Sequence, residues 1–228
     1  MGTHLSWCCS LVLLSGTAGA VEVEEGDLPE WWTFTVKTGV VPGVSRLHAQ
    51  AVDAGGAPTV DRRVDLTPGI GQQLAVEARW QSWWTEDQGF AWSGSLFTRR
   101  QEGTQGAITA SMLSLGLEGG FDVLWAPRMD WPVDFAMGPR LGLGRSWQQE
   151  SGLVLMAPGH GYLFTYGVMA GITTPIARDT VFTFEFGYQG FTATTRRPIA
   201  PEALVTGDGI MRYMGHGVSA NVGIGREF

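Results

Sequence analysis

The chain is poor in charge: 16% of its 228 residues are Asp, Glu, Lys or Arg, and they sum to −7. Such a chain lacks the basic face that neutralises phosphates, so no nucleic-acid partner is expected. Cysteine is almost absent, with two residues in all. Cys8 and Cys9 both fall within a stretch that reads as a secretory leader over 1–20, with apolar Leu11 to Leu14 and small Ala18, Gly19 and Ala20 at the cleavage site. A mature chain without them has no disulfide, no thiolate nucleophile and no cysteine-held metal, and no metal or cofactor is expected. Long apolar runs are missing too. Nothing approaches the roughly 18 residues that a membrane-crossing helix needs, so any crossing must be made by strands.

What the sequence does have is glycine (33), tryptophan (10) and an alternating pattern. Leu74, Val76, Ala78 and Trp80 share one face of a strand, and Gln73, Glu77, Arg79 and Gln81 share the other. Phe182, Phe184, Phe186 and Tyr188 alternate in the same way with Thr183, Glu185, Gly187 and Gln189. The pattern predicts eight strands, at 31–41, 72–84, 90–99, 108–125, 131–147, 161–174, 180–193 and 211–228. Connections alternate between long (43–71, 148–160, 194–210) and short, with a moderate one at 100–107. The predicted fold is all-β, an eight-stranded antiparallel up-and-down transmembrane β-barrel over 31–228, preceded by an acidic segment at 21–30.

Aromatic residues sort by strand end. Trp31, Trp32, Trp83, Trp84, Trp92, Trp125 and Trp131 map to the short-turn end, and Trp147, Tyr162, Phe164, Tyr188, Phe191 and Tyr213 to the other, as two interfacial girdles would. The last segment alternates Val218, Ala220, Val222, Ile224 and Phe228 against Ser219, Asn221, Gly223, Gly225 and Glu227. In these features the chain resembles the small outer-membrane β-barrel proteins of Gram-negative bacteria, of the OmpA-transmembrane, OmpX or OmpW type. Arg226 departs from the hydrophobic residue usual at its place. The resemblance implies export through the periplasm to the outer membrane, with Phe228 as the residue read by the barrel-assembly machinery.

With apolar faces turned to lipid, the interior would hold Lys37, Glu77, Arg79, Glu118, Asp122, Asp134, Arg140 and Glu185, long side chains on one half resting on a glycine-lined wall across the barrel. Buried charges must be paired, so the lumen is expected to be a plugged network rather than an ion path. The arginine pairs Arg62-Arg63, Arg99-Arg100 and Arg196-Arg197 map to the long-loop rim, where planar guanidinium groups suit the phosphates of lipopolysaccharide. His216 and Ser219 lie on opposite faces of one strand, which argues against a catalytic pair, and His48 and His160 are expected as solvated loop residues. The resulting expectation is a non-enzymatic outer-membrane barrel with a structural or surface-interaction role, meeting membrane lipids and lipopolysaccharide. A channel for small or hydrophobic solutes, a lipid A modifying enzyme and a soluble ligand-binding barrel remain alternatives.

Overall fold

The computed structural model describes residues 30–52, 58–126, 132–151, 159–198 and 208–228. The expected leader over 1–20, the acidic segment up to residue 29 and Trp131 lie outside the described residues. Among the described residues eleven strands follow one another: β1 (Glu30–Pro42), β2 (Arg46–Val52), β3 (Pro58–Asp65), β4 (Thr67–Pro68), β5 (Ile70–Trp83), β6 (Gln88–Gln105), β7 (Ile108–Trp125), β8 (Asp134–Ser151), β9 (Gly159–Ala177), β10 (Thr180–Pro198) and β11 (Asp208–Glu227). Eight of them close a ring in the order β1, β5, β6, β7, β8, β9, β10, β11, with β11 pairing back onto β1 and every ring pair antiparallel. Closure leaves no ring strand with an unpaired edge at membrane depth, which is what lets a sheet cross lipid.

Alternation makes these strands. On β5 buried and less buried positions alternate from end to end, as on the other ring strands. Phe34, Val36, Leu74, Val76, Leu96, Leu115, Leu117, Met137, Leu141, Leu143, Phe164, Val168, Phe186, Val222 and Ile224 are exposed on the outer wall. No helix among the described residues is long and apolar enough to cross a membrane. This outward apolar belt is the surface that a membrane-spanning barrel turns to lipid.

Two connections differ from the sequence expectation. The moderate loop at 100–107 is strand: β6 and β7 pair up to Gln105 and Ile108 and are joined by Gly106 and Ala107. Gly106 has φ +59°, and a positive φ at the first central residue alone is the type II′ geometry that suits a twisted hairpin. The long loop at 43–71 contains a hairpin, β2 paired with β3, in which β2 lies beside Gly209–Met214 of β11 beyond the reach of β1, while β4 pairs with β6. The wall therefore continues beyond the predicted strand ends on the long-connection side.

The girdles are also corrected in part. Trp32, Trp84, Trp92 and Trp125 face out at the short-connection end, but Trp31 and Trp83 point inward and stack with ring centroids 6.1 Å apart. Adjacent residues on a strand must face opposite sides, so a Trp-Trp pair cannot contribute both rings to a girdle. At the other end Phe191 and Tyr213 are likewise turned inside, while Trp147, Tyr162, Phe164 and Tyr188 face out.

Candidate functional site: the barrel interior

The inward face is layered. At the short-connection end Trp31 and Trp83 pack with Ala91, Leu124, Ala126 and Ala136. At the long-connection end an apolar cluster includes Val44, Leu47, Val64 and Leu66 from the former loop, packed with Phe97, Met112, Leu163, Phe191, Met211 and Tyr213. Between these two layers lie the charges.

Six of the eight predicted interior charges form one circuit. Lys37 Nζ donates to Glu77 Oε1 at 2.6 Å and to Glu185 Oε1 at 2.7 Å. Arg140 Nη2 stands 3.6 Å from Glu185 Oε1, and the same guanidinium donates to both oxygens of Asp122, at 2.6 and 2.9 Å. Arg79 Nη2 lies 3.1 Å from Asp122 Oδ2. The circuit thus leaves β5 at Glu77, passes β1, β10, β8 and β7, and returns to β5 at Arg79, alternating in sign at each step. All six residues are at most 7% exposed. Three cations against three carboxylates leave the circuit neutral, which is what burial demands of ionised groups.

Glu118 belongs to a second, separate pair. Its Oε2 accepts from Arg99 Nη2 at 2.7 Å and from Thr165 Oγ1 at 3.2 Å, and Arg99 Nε also donates to Gln73. The expectation of Arg99 as a rim residue is therefore corrected: it is 3% exposed, inside the barrel, with its guanidinium 4.1 Å from the Phe97 ring centroid. Because β6 continues past residue 99, Arg99 keeps the inward parity of Phe97, and only Arg100 faces out, where it pairs with Glu102 at 2.8 Å. The signal was in the sequence as the unbroken alternation of Phe97, Arg99 and Gln101. Asp134, half-buried at the start of β8, is joined to neither group by the ion pairs described.

Glycine seats these side chains, but on the neighbouring strand and not across the barrel as expected. Lys37 is the register partner of Gly223, Arg140 of Gly120 and Phe97 of Gly116. A Cβ on Gly223 would come 2.9 Å from Lys37 Cγ, one on Gly120 2.6 Å from Arg140 Nη1, and one on Gly116 2.6 Å from Phe97 Cζ. Each long side chain lies flat over its bare neighbour before reaching its partner.

The remaining predicted residues are dispersed. Arg62 and Arg63 are exposed on β3 and Arg196 on β10; the side chain of Arg197 lies outside those described. Phe228 faces out, pairs its backbone with Trp32 at 2.9 and 3.2 Å, and meets Phe34 edge-on at 5.7 Å. His216 faces out beside Tyr188, with Nδ1 2.5 Å from the phenol oxygen, whereas Ser219 is buried inside against Met169. His48 is not a solvated loop residue: it is buried on β2, with Nε2 2.6 Å from Asp61 Oδ1. No group of three or more metal-ligating side chains occurs among the described residues.

No protein-family model matches the chain, and no curated protein does. Among solved structures the chain is similar to the outer membrane protein OprG from Pseudomonas aeruginosa, with 12% identity, 89% of this chain and 97% of that one covered, and a TM-score of 0.48. It is also similar to Neisserial surface protein A, with 15% identity, 82% and 95% covered and a TM-score of 0.34. A third likeness is to Ail, the attachment invasion locus protein of Yersinia pestis, with 11% identity, 86% and 98% covered and a TM-score of 0.33. The fold, read from its own ring of strands and outward apolar belt, is an eight-stranded antiparallel transmembrane β-barrel, and the solved structures it resembles include outer-membrane proteins.

Proposed function

We propose that this protein is a closed barrel of the bacterial outer membrane, serving a structural or surface-interaction role and not acting as a pore. The observation that carries the reading is the neutral circuit of Glu77, Lys37, Glu185, Arg140, Asp122 and Arg79, which joins five ring strands across the lumen between two apolar layers. An eight-stranded barrel is just wide enough for side chains to fill, and paired charges hold such a filling in one arrangement. The acidic N-terminal segment then lies in the periplasm, Phe228 serves the barrel-assembly machinery, and Arg62, Arg63, Arg100, Arg196 and Arg197 meet lipopolysaccharide at the outer rim.

Recording from the full chain refolded into planar bilayers tests this. The proposal expects a silent membrane; stepwise conductance from the unmodified protein would overturn it. A hydrophobic-solute channel draws support from the apolar layer at the long-connection end, where Phe97, Met112, Leu163 and Tyr213 face the lumen. That layer is packed at 0–6% exposure, which favours a plug. Uptake of an apolar dye into protein-bearing vesicles, absent from protein-free ones, would decide for the channel.

A further inference from the structure

On the long-connection side one register row crosses six strands and carries three arginines, Arg145, Arg212 and Arg63. Register partners run from Arg145 on β8 to Tyr162 on β9, Thr194 on β10, Arg212 on β11, His48 on β2 and Arg63 on β3. The next row toward the membrane centre is Leu143, Phe164, Thr192 and Met214, leading to the Arg46 and Asp65 pair. On β8 and β11 the change from apolar Leu143 and Met214 to basic Arg145 and Arg212 comes between one row and the next.

Arg145 and Arg212 are both exposed, and among the described residues no carboxylate closes an ion pair on either. The Arg145 guanidinium lies over the Tyr162 ring, 4.2 Å from its centroid, so its plane is fixed while its edge donors stay available. Beside it a groove of about 380 Å³ is lined by Ser111, Leu113, Trp147, Gln149 and His160. An exposed indole next to hydroxyl, amide and imidazole groups offers a stacking face with hydrogen-bonding partners around it. Together these give an anion site immediately adjoining a polar, aromatic-walled groove, at the edge of the lipid-facing belt.

We infer that this row, centred on Arg145, Tyr162 and Arg212 and continued by the Trp147 groove, binds the phosphorylated sugar headgroup of an outer-leaflet glycolipid. The inference rests on the outer-membrane reading above and moves the principal contact from the rim pairs to the wall. Strands of such barrels are tilted by about 35–45°, so a row at right angles to them climbs away from the membrane surface. A row of that slope follows a headgroup that extends outward, with phosphate held by arginine and sugar by the groove.

The full chain, refolded into phosphatidylcholine vesicles doped with bisphosphorylated lipid A or with its dephosphorylated form, is extracted gently and its bound lipid is counted by native mass spectrometry. The unmodified protein should retain the bisphosphorylated form selectively, and inorganic phosphate added to the vesicles should not displace it. Arg145→Gln and Arg212→Gln should each lower retention about tenfold, the size of one charge-assisted contact. Tyr162→Leu should weaken it through the loss of the stacked guanidinium geometry. All three positions are on the outer wall, and the gel shift of the folded band serves as the control for folding. Retention unchanged in Arg145→Gln/Arg212→Gln, or lost only in Arg62→Gln/Arg196→Gln, overturns this site while leaving the rim reading in place. No retention by the unmodified protein overturns both.

Discussion

Glu77 and Arg79, two residues apart on the inward face of β5, do not pair with each other in the described circuit; they are its two ends, joined through Lys37, Glu185, Arg140 and Asp122 around the inside of the barrel. Strand geometry places residues i and i+2 side by side, so this one strand both starts and finishes the loop of charges. The arrangement ties β1, β5, β7, β8 and β10 together from within, in addition to their backbone ladders.

Lys37 donates to two carboxylates of the circuit, and removing it leaves Glu77 and Glu185 without their shared donor. Lys37→Met is expected to destabilise the barrel by about 3–5 kcal/mol, the range for stranding one partner of a buried pair. Equilibrium unfolding of the refolded protein in lipid measures this. Adding Glu185→Gln and Glu77→Gln to Lys37→Met should return a large part of the loss, because no uncompensated charge then remains among the three.

Inward glycines should tolerate substitution far less than outward ones. Gly120→Val places new atoms where Arg140 lies, and a Cβ there already comes within 2.6 Å of its Nη1. Gly94, on the outer wall, has nothing within 4 Å of its Cβ position. Folding yield, read as the fraction of heat-modifiable band, should fall sharply for Gly120→Val and stay near the unmodified level for Gly94→Val.

The outer wall predicts a depth dependence. Leu143→Arg puts a charge on the lipid face one row inside Arg145 on the same strand, and Leu141→Arg puts one a further row in on that strand. An arginine near the middle of the bilayer costs about 2–4 kcal/mol, falling to about 0–1 near the interface. Unfolding free energies should therefore drop more for Leu141→Arg than for Leu143→Arg; equal losses would place the membrane elsewhere on the wall.

Much of this was legible in the sequence because period two is a local signal. Once Leu74, Val76 and Ala78 were assigned to lipid, Gln73, Glu77 and Arg79 had to face in, and the interior charges followed by parity. What stayed hidden depended on where strands end. Arg99 read as a rim residue because β6 was ended there; carried on to Gln105, the same alternation turns it inward and supplies the cation that Glu118 lacked. The hairpin of β2 and β3 was hidden in an apparent loop, since its pairing with β11 is fixed by tertiary contacts of Leu47 and Val64 that no short window records. The inward turn of Trp31, Trp83, Phe191 and Tyr213 follows from strand parity, which position at a strand end does not carry.

The central claim is a barrel that closes and lives in lipid, and the most direct measurement is heat modifiability. The chain from residue 21 onward is folded in detergent or lipid and run unboiled and boiled on an SDS gel, beside a far-ultraviolet circular dichroism spectrum. The structure predicts a β spectrum and a folded band whose mobility changes only on boiling. A protein that is soluble without detergent and migrates identically in both lanes would contradict it.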